Sequence, residues 1–270
     1  ELASITEPTL GYITNYGKAH LEGFGGVEGI IKGKSELYDY IARTTDGVAL
    51  VNADDMIQLE KSAACRRTTF GKTNAQFTYT VEEKDEFAGI QFSIATASYT
   101  IQSNLSGSFN CTNLAAAVAL GRYCDVPAPA IVQALTDYLP AMNRVEWRKT
   151  ASNQVLLDAY NANPTSMSLS IENFAKWHKD GWLVLGDMFE LGEESAAEHR
   201  AIVKLVQRIN MEERCILVGK HFGRTSWRGK QFPTTGDLKT YWKENGAPKD
   251  AAILLKGSRG IALEQLLPLL

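Results

Sequence analysis

The chain has 270 residues, 44% of them hydrophobic, which is apolar content for one large core or two smaller ones. With 28 Lys and Arg against 31 Asp and Glu the formal charge is -3, so there is no electrostatic case for nucleic acid or an anionic membrane as partner. Four cysteines (Cys65, Cys111, Cys124 and Cys215) show no paired metal-ligand spacing and read as reduced thiols of a cytoplasmic protein.

No apolar run reaches the length of a membrane span; the longest, around Leu114 to Leu120, is short and alanine-rich. Neither a basic leader region nor an initiator Met opens the chain, so no signal peptide is expected and Glu1 reads as a cut within something longer.

Leu10, Tyr12 and Ile13 form an apolar run that predicts a short buried strand, followed by a Gly-rich loop holding Asn15, His20 and Glu22. A helix is predicted from about Val27, because Val27, Ile30, Ile31, Tyr38 and Ile41 recur at three- and four-residue steps. Lys34 falls on the same stripe, whereas Lys32 points away from it. Lys34 therefore either snorkels its amine to water or is buried, and a buried amine must be paired or neutral. His20 follows a strand's carboxyl end, where ligands bind in α/β sheets.

GVALVN (Gly47–Asn52) predicts a second buried strand. Short β-like runs then fill Cys65 to Ser103 (RRTTFG, QFTYTVEE, GIQFSIAT, SYTIQSN), most simply a meander at one edge of the domain. Ser106 to Tyr123 is a Gly-Ser turn leading into an alanine-rich helix, with Ser108 or, preferably, Asn110 as its N-cap. Asn113 shares a face with Ala117 and Leu120, which directs its amide to the interior or to a ligand. A further helix spans about Pro127 to Tyr138, Leu139 and Pro140 end it, and a domain boundary is placed near Ala141.

From Arg144 onward strands at VLLDAY, WLVLGDM, CILVGK and AAILLKG alternate with helices at Thr165–Trp177, Ala196–Ile209, Asp237–Asn245 and Ile261–Leu267. That order predicts a mostly parallel, Rossmann-like sheet. Asp158, Asp187, Lys220 and Lys256 gather at strand carboxyl ends, which marks a ligand-facing edge. Asn163 suits an N-cap with Pro164 at the first helical position. Asp187 and Glu190 read as a solvated turn.

Two segments imitate a phosphate-binding loop, Gly33-Lys34-Ser35 and Gly71-Lys72-Thr73, but neither has the first glycine nor the strand-loop-helix setting. Gly23, Gly25 and Gly26 do not fit the dinucleotide spacing, which discounts an oxidoreductase.

ITNYGKAHLEGFGGVEGIIKGKSELY resembles the central-domain signature of the Mur ligases, ATP-dependent amide-forming enzymes of peptidoglycan synthesis. DAYNANPTSM (Asp158–Met167), LGDMFELGEES followed by His199, and KGSRG (Lys256–Gly260) resemble the branch of that family that adds D-Ala-D-Ala. The resemblance implies an α/β fold: residues 1–141 as the downstream part of a central ATPase domain with a mixed sheet, residues 142–270 as a Rossmann-like C-terminal domain. The family's phosphate-binding loop and UDP-sugar-binding domain are expected upstream of Glu1, so this chain alone is expected to be inactive, with strands near Glu1 left open to edge association.

The resemblance further implies ATP and Mg2+ as cofactors, and UDP-N-acetylmuramoyl-tripeptide and D-Ala-D-Ala as substrates of a monomeric enzyme. By the same resemblance His20 binds metal and Lys34 is carbamylated beside it, both counted as catalytic. Asn113 meets adenine, Arg144 and Asp158 meet ribose or phosphate, and Tyr160, Asn161 and Asn163 meet the incoming dipeptide. The alternatives are a related ligase, such as the diamino-acid-adding enzyme or a folylpolyglutamate synthase, or a non-catalytic nucleotide-binding module.

Overall fold

The computed structural model describes residues 2–270, so what concerned Glu1 itself lies outside the described residues. The chain divides into two compact units, one of residues 2–17 and Phe24–Leu139, the other of Lys18–Gly23 and Pro140–Leu270. Among the described residues no helix is long and apolar enough to cross a membrane.

The first unit contains α1 (Leu2–Thr6), β1 (Leu10–Tyr12), α3 (Val27–Ile41), β2 (Val48–Asn52), α4 (Met56–Lys61), β3 (Arg66–Gly71), β4 (Phe77–Val81), β5 (Phe87–Ile94), β6 (Ala97–Ser106), α5 (Phe109–Tyr123) and α6 (Ala128–Asp137). A four-residue turn of helix, α2 (Leu21–Phe24), falls where the segment Lys18–Gly23 leaves it. The strands form one sheet in chain order, β1 to β6. β1 to β4 run parallel; β4, β5 and β6 are antiparallel.

β2 shows why this sheet needs two helical layers. Leu50 enters a core with Phe70, Ile90, Leu114 and Val118, while Ala49 and Val51 join Ile13, Tyr38 and Ile41. Alternate side chains are buried on opposite faces, the mark of a strand covered on both sides.

Several expectations are corrected here. Arg66–Gly71 is no part of a meander: it pairs in parallel with β2 and β4, because α4 returns the chain to the same sheet edge. α4 has too few residues to show a helical period, yet Asp55 caps it by accepting from the backbone N–H of Ile57 and Gln58 at 3.0 and 3.1 Å. Val27 is exposed, since the first turn of α3 lies beyond the core that takes Ile30, Tyr38 and Ile41. Neither Ser108 nor Asn110 caps α5 through its side chain. Asn110 lies inside the helix and donates from Nδ2 to the Ser106 carbonyl at 2.8 Å.

The second unit contains β7 (Glu146–Lys149), β8 (Gln154–Asp158), α7 (Pro164–Trp177), β9 (Trp182–Gly186), α8 (Ser195–Arg208), β10 (Cys215–Val218), β11 (Lys230–Phe232), α9 (Thr235–Asn245) and β12 (Ala252–Lys256). The sheet order is β11-β10-β9-β12-β8-β7, parallel throughout except for β7, which runs antiparallel to β8. Val155, Val184, Ile216 and Leu255 pack with Leu238 and Trp242 of α9 on one face.

The helix expected at Ile261–Leu267 is instead a pair of 3-10 turns, Arg259–Ile261 and Leu263–Leu269, broken where Ala262 takes a left-handed conformation with φ 58°. β11 has only three residues and carried no signal of its own.

Candidate functional site

In the first unit the two residues of interest sit on α3 and α5. Lys34 is half-buried, and its Nζ donates to the Asn15 carbonyl at 2.8 Å. Burial lowers the amine's pKa from its usual value, since an ammonium loses hydration there and one carbonyl does not replace it. Lys34 therefore lies between its two readings, partly withdrawn from water and tied to the loop that follows β1. The pseudo-motif Gly33-Lys34-Ser35 is interior to α3, with Ser35 buried against the Tyr16 hydroxyl at 3.0 Å.

Asn113 faces outward, which removes the interior alternative, and its Nδ2 donates to Asn110 Oδ1 at 2.9 Å. The two amides thus form a short relay from Ser106 to the outer face of α5.

The second unit gathers its polar side chains at the carboxyl ends of β8, β9, β10 and β12, and it uses several of them internally. Asp158 and Lys256 end adjacent strands and pair through Oδ2 and Nζ, with Ser170 Oγ donating to the same oxygen at 2.9 Å. Lys256 is 1% exposed and Asp158 8%. Two of the four residues read as a ligand-facing edge therefore face each other. Lys220 alone of the four is exposed.

Asp187 corrects the solvated-turn reading. It is 2% exposed, and its carboxylate accepts from the backbone N–H of His221 at 2.8 Å and of Phe222 at 2.9 Å. That ties down the loop after β10. Gly219 passes so close beneath, at φ 130°, that a Cβ would overlap the carboxylate. His199 lies fully buried alongside, donating from Nδ1 to the Ser195 carbonyl at 2.7 Å and accepting at Nε2 from Met188 N–H at 3.1 Å. Burial pushes its pKa down, outweighing the Ser195 carbonyl and Asp187, which both favour the charged form.

His20, grouped with this unit, is exposed in a left-handed conformation, and its Nδ1 meets the Glu190 carboxylate. The Glu22 N–H donates to the Glu190 carbonyl at 3.1 Å, so that loop is fixed by backbone as well as by side chain. Among the described residues no group of three or more His, Cys, Asp or Glu side chains is arranged to hold a metal.

The loop after β8 is pre-shaped. Asn163 caps α7, accepting from Ser166 N–H at 2.9 Å, and Ser166 Oγ accepts in return from the Asn163 N–H at 3.2 Å, with Pro164 at the first helical position. Asn161 Oδ1 accepts from Ala162 N–H at 2.8 Å, so both asparagines spend an oxygen on the loop. Tyr160 meets two cations: the Arg144 guanidinium carbon lies 3.8 Å from its ring centroid and that of Arg259 5.6 Å away, both within cation–π range.

Arg144 and Tyr160 were singled out from sequence and are in contact. Arg259 was missed although it stands inside KGSRG, three residues past a strand-end lysine. The same strand-end argument extended by one turn reaches it.

Comparison with known proteins gives a consistent result. A family model described as the Mur ligase middle domain matches residues 1–121, and one described as the Mur ligase, glutamate ligase domain matches residues 143–259. The UDP-N-acetylmuramoyl-tripeptide–D-alanyl-D-alanine ligase of Escherichia coli is 32% identical over 97% of this chain and 60% of that protein. The Bacillus subtilis protein of the same name is 30% identical over 98% and 60%. A crystal structure of MurF from Acinetobacter baumannii superposes with a TM-score of 0.84 at 28% identity, covering 98% of this chain and 60% of that one. The chain thus spans about 60% of the length of these relatives.

Proposed function

The chain belongs to the Mur ligase family, and from that premise we propose that its protein is the ATP-dependent ligase that joins D-Ala-D-Ala to UDP-N-acetylmuramoyl-tripeptide. The observation that carries the choice within the family is the loop after β8. Its sequence is Asp-Ala-Tyr-Asn-Ala-Asn-Pro, it is held rigid by its own asparagines, and it presents Tyr160 with Arg144 and Arg259 at the carboxyl edge of a parallel sheet.

In the proposed reaction the tripeptide carboxylate takes the terminal phosphoryl group of ATP, releasing ADP and leaving an acyl phosphate. The dipeptide amine attacks the acyl carbon. The C–N bond forms, the bond from carbon to the phosphate oxygen breaks, inorganic phosphate leaves with the electron pair, and the amine gives its proton to solvent. Positioning and charge neutralisation dominate the barrier in phosphoryl transfer, so cationic and amide groups matter more than nucleophilic ones.

Asn113 is assigned to adenine, and Arg144 and Asp158 to the nucleotide. Tyr160, Asn161 and Asn163 are assigned to the dipeptide, the asparagines through atoms not already holding the loop. Lys34 as a carbamate and His20 are the proposed metal ligands; with Nδ1 turned to Glu190, His20 has Nε2 to present. Mg2+ suits so sparse a protein donor set, because it keeps waters and substrate phosphates as ligands, and when bound it screens phosphate charge.

The test is phosphate release from ATP with both substrates, run on the chain and on a longer polypeptide from the same reading frame. Release that requires UDP-N-acetylmuramoyl-tripeptide and D-Ala-D-Ala together is expected from the longer protein. Release with a diamino acid or glutamate in place of the dipeptide, or nucleotide binding without turnover by the longer protein, overturns the proposal.

A further inference from the structure

The segment Lys18–Gly23 belongs to the second unit, although the chain enters and leaves it through the first. Its start is tied to α7 and α8: the Lys18 N–H donates to Thr165 Oγ1 at 3.1 Å, and Lys18 Nζ to Glu198 Oε1 at 2.6 Å. Its end is tied to the loop after β9, where the Glu22 N–H donates to the Glu190 carbonyl at 3.1 Å. Gly192, at φ 54°, passes so close that a Cβ there would lie 3.3 Å from Glu22 Cβ. His20 stands between these two anchors, with Nδ1 against the Glu190 carboxylate.

That last contact fixes more than position. A carboxylate accepts and does not donate, so in the neutral imidazole Nδ1 carries the hydrogen and the lone pair stands on Nε2. Both residues hold left-handed backbones, φ 55° at His20 and 60° at Glu190, a conformation uncommon for any residue but glycine. Their side chains are 53% and 60% exposed, and an ion pair so open to water contributes little to stability. Glu190 is thus as solvated as its turn sequence suggests. Two unfavourable backbone conformations maintained for a weakly stabilising pair point to a use in the site rather than in the fold.

We propose that Glu190 is the positioning residue of the metal site, holding His20 in the Nδ1–H tautomer and turning Nε2 toward the cation. The proposal rests on the ligase reading, in which His20 is a metal ligand. To that reading it adds the group that decides which nitrogen binds, and it places that group on the loop after β9, 170 positions along the chain. A carboxylate behind a metal-binding imidazole orients the ring and raises its basicity, and losing such a partner typically weakens metal binding about 10–100-fold. The Lys18 contacts and the Glu22 N–H bond do not pass through the Glu190 side chain, so the segment stays docked when that side chain is replaced.

The experiment is 1H–15N correlation of the imidazole rings in the whole chain, in which the two neutral tautomers give distinct nitrogen shifts. The His20 ring is assigned with His20→Gln, and Mn2+ alone is then titrated in as a paramagnetic probe for the Mg2+ site. Both measurements are repeated on Glu190→Leu and Glu190→Gln. The native chain should show His20 as the Nδ1–H tautomer, with saturable broadening of its ring signals by Mn2+. Glu190→Leu should lose the tautomer preference and need at least tenfold more Mn2+ for the same broadening. Glu190→Gln should keep the tautomer and most of the Mn2+ response, since an amide oxygen also accepts from Nδ1–H. Neither variant should shift the urea unfolding midpoint, which separates positioning from support of the fold. The inference is overturned if native His20 carries its hydrogen on Nε2 or gives no saturable response to Mn2+. It is equally overturned if Glu190→Leu leaves tautomer and Mn2+ response unchanged, or if Glu190→Gln behaves as Glu190→Leu does. Failure of the ligase reading leaves a different trace: no dipeptide-dependent phosphate release by the longer protein, with the His20 tautomer still lost in Glu190→Leu.

Discussion

Replacing Lys256 by methionine is expected to destabilise the second unit severely. Its Nζ reaches Asp158 Oδ2 across adjacent strands, and the pair is 1% and 8% exposed. Without the ammonium, Asp158 keeps, among the described residues, the Ser170 hydroxyl as a neutral side-chain partner, with its own side chain 11% exposed. Removing one member of a buried pair typically costs about 3–5 kcal/mol, because the survivor is left charged and desolvated. Asp158→Asn should cost a similar amount for the converse reason. The double variant, Asp158→Asn with Lys256→Met, should lose at least ~2 kcal/mol less than the sum of the singles, since no charge is then stranded. All five tryptophans (Trp147, Trp177, Trp182, Trp227 and Trp242) lie in the second unit, so urea unfolding followed by tryptophan fluorescence reads that unit even if the two unfold separately. A loss under about 1 kcal/mol for Lys256→Met, or strict additivity in the double variant, would refute the buried-pair reasoning.

Three further outcomes are expected. Gly219→Ala should destabilise the second unit by at least about 2 kcal/mol, because φ 130° is closed to alanine and the added methyl overlaps Asp187; an unchanged urea midpoint would show that the loop relaxes freely. His199 has a folded-state pKa below its ordinary 6.5, so the unfolded chain binds the extra proton first. Its contribution is complete above pH 6.5 and is lost as pH falls from there through the depressed value, and the unfolding free energy of the native chain minus that of His199→Gln, measured from pH 8 to pH 5, should shrink accordingly. Lys34, with its amine pKa lowered by burial, should give a carbamate carbon signal in 13C NMR under labelled CO2, absent in Lys34→Arg; the same signal persisting in that variant would assign it to another amine.

What was legible in the sequence is what local rules control. GVALVN and VLLD are continuous apolar runs because both faces of those strands are covered, and Asn163-Pro164 announces a helix start whatever surrounds it. The strand-end positions of Asp158, Asp187 and Lys256 were legible too, but not their use. Asp158 and Lys256 stand 98 residues apart, and only the order β12-β8 makes them neighbours whose side chains pair. Asp187 reads as polar turn chemistry until the loop after β10 brings two N–H groups to it.

The parallel pairing of β3 escaped for the same reason, because α4 is too short to signal the crossover that sets it. Sequence by itself therefore fixed the periodic elements, their class and the kinship. The tertiary structure decided which charges are satisfied within the protein, as Asp187 and the Asp158–Lys256 pair are. A strand's pattern records how it is covered, whereas a buried charge is known only by the partner that folding brings to it.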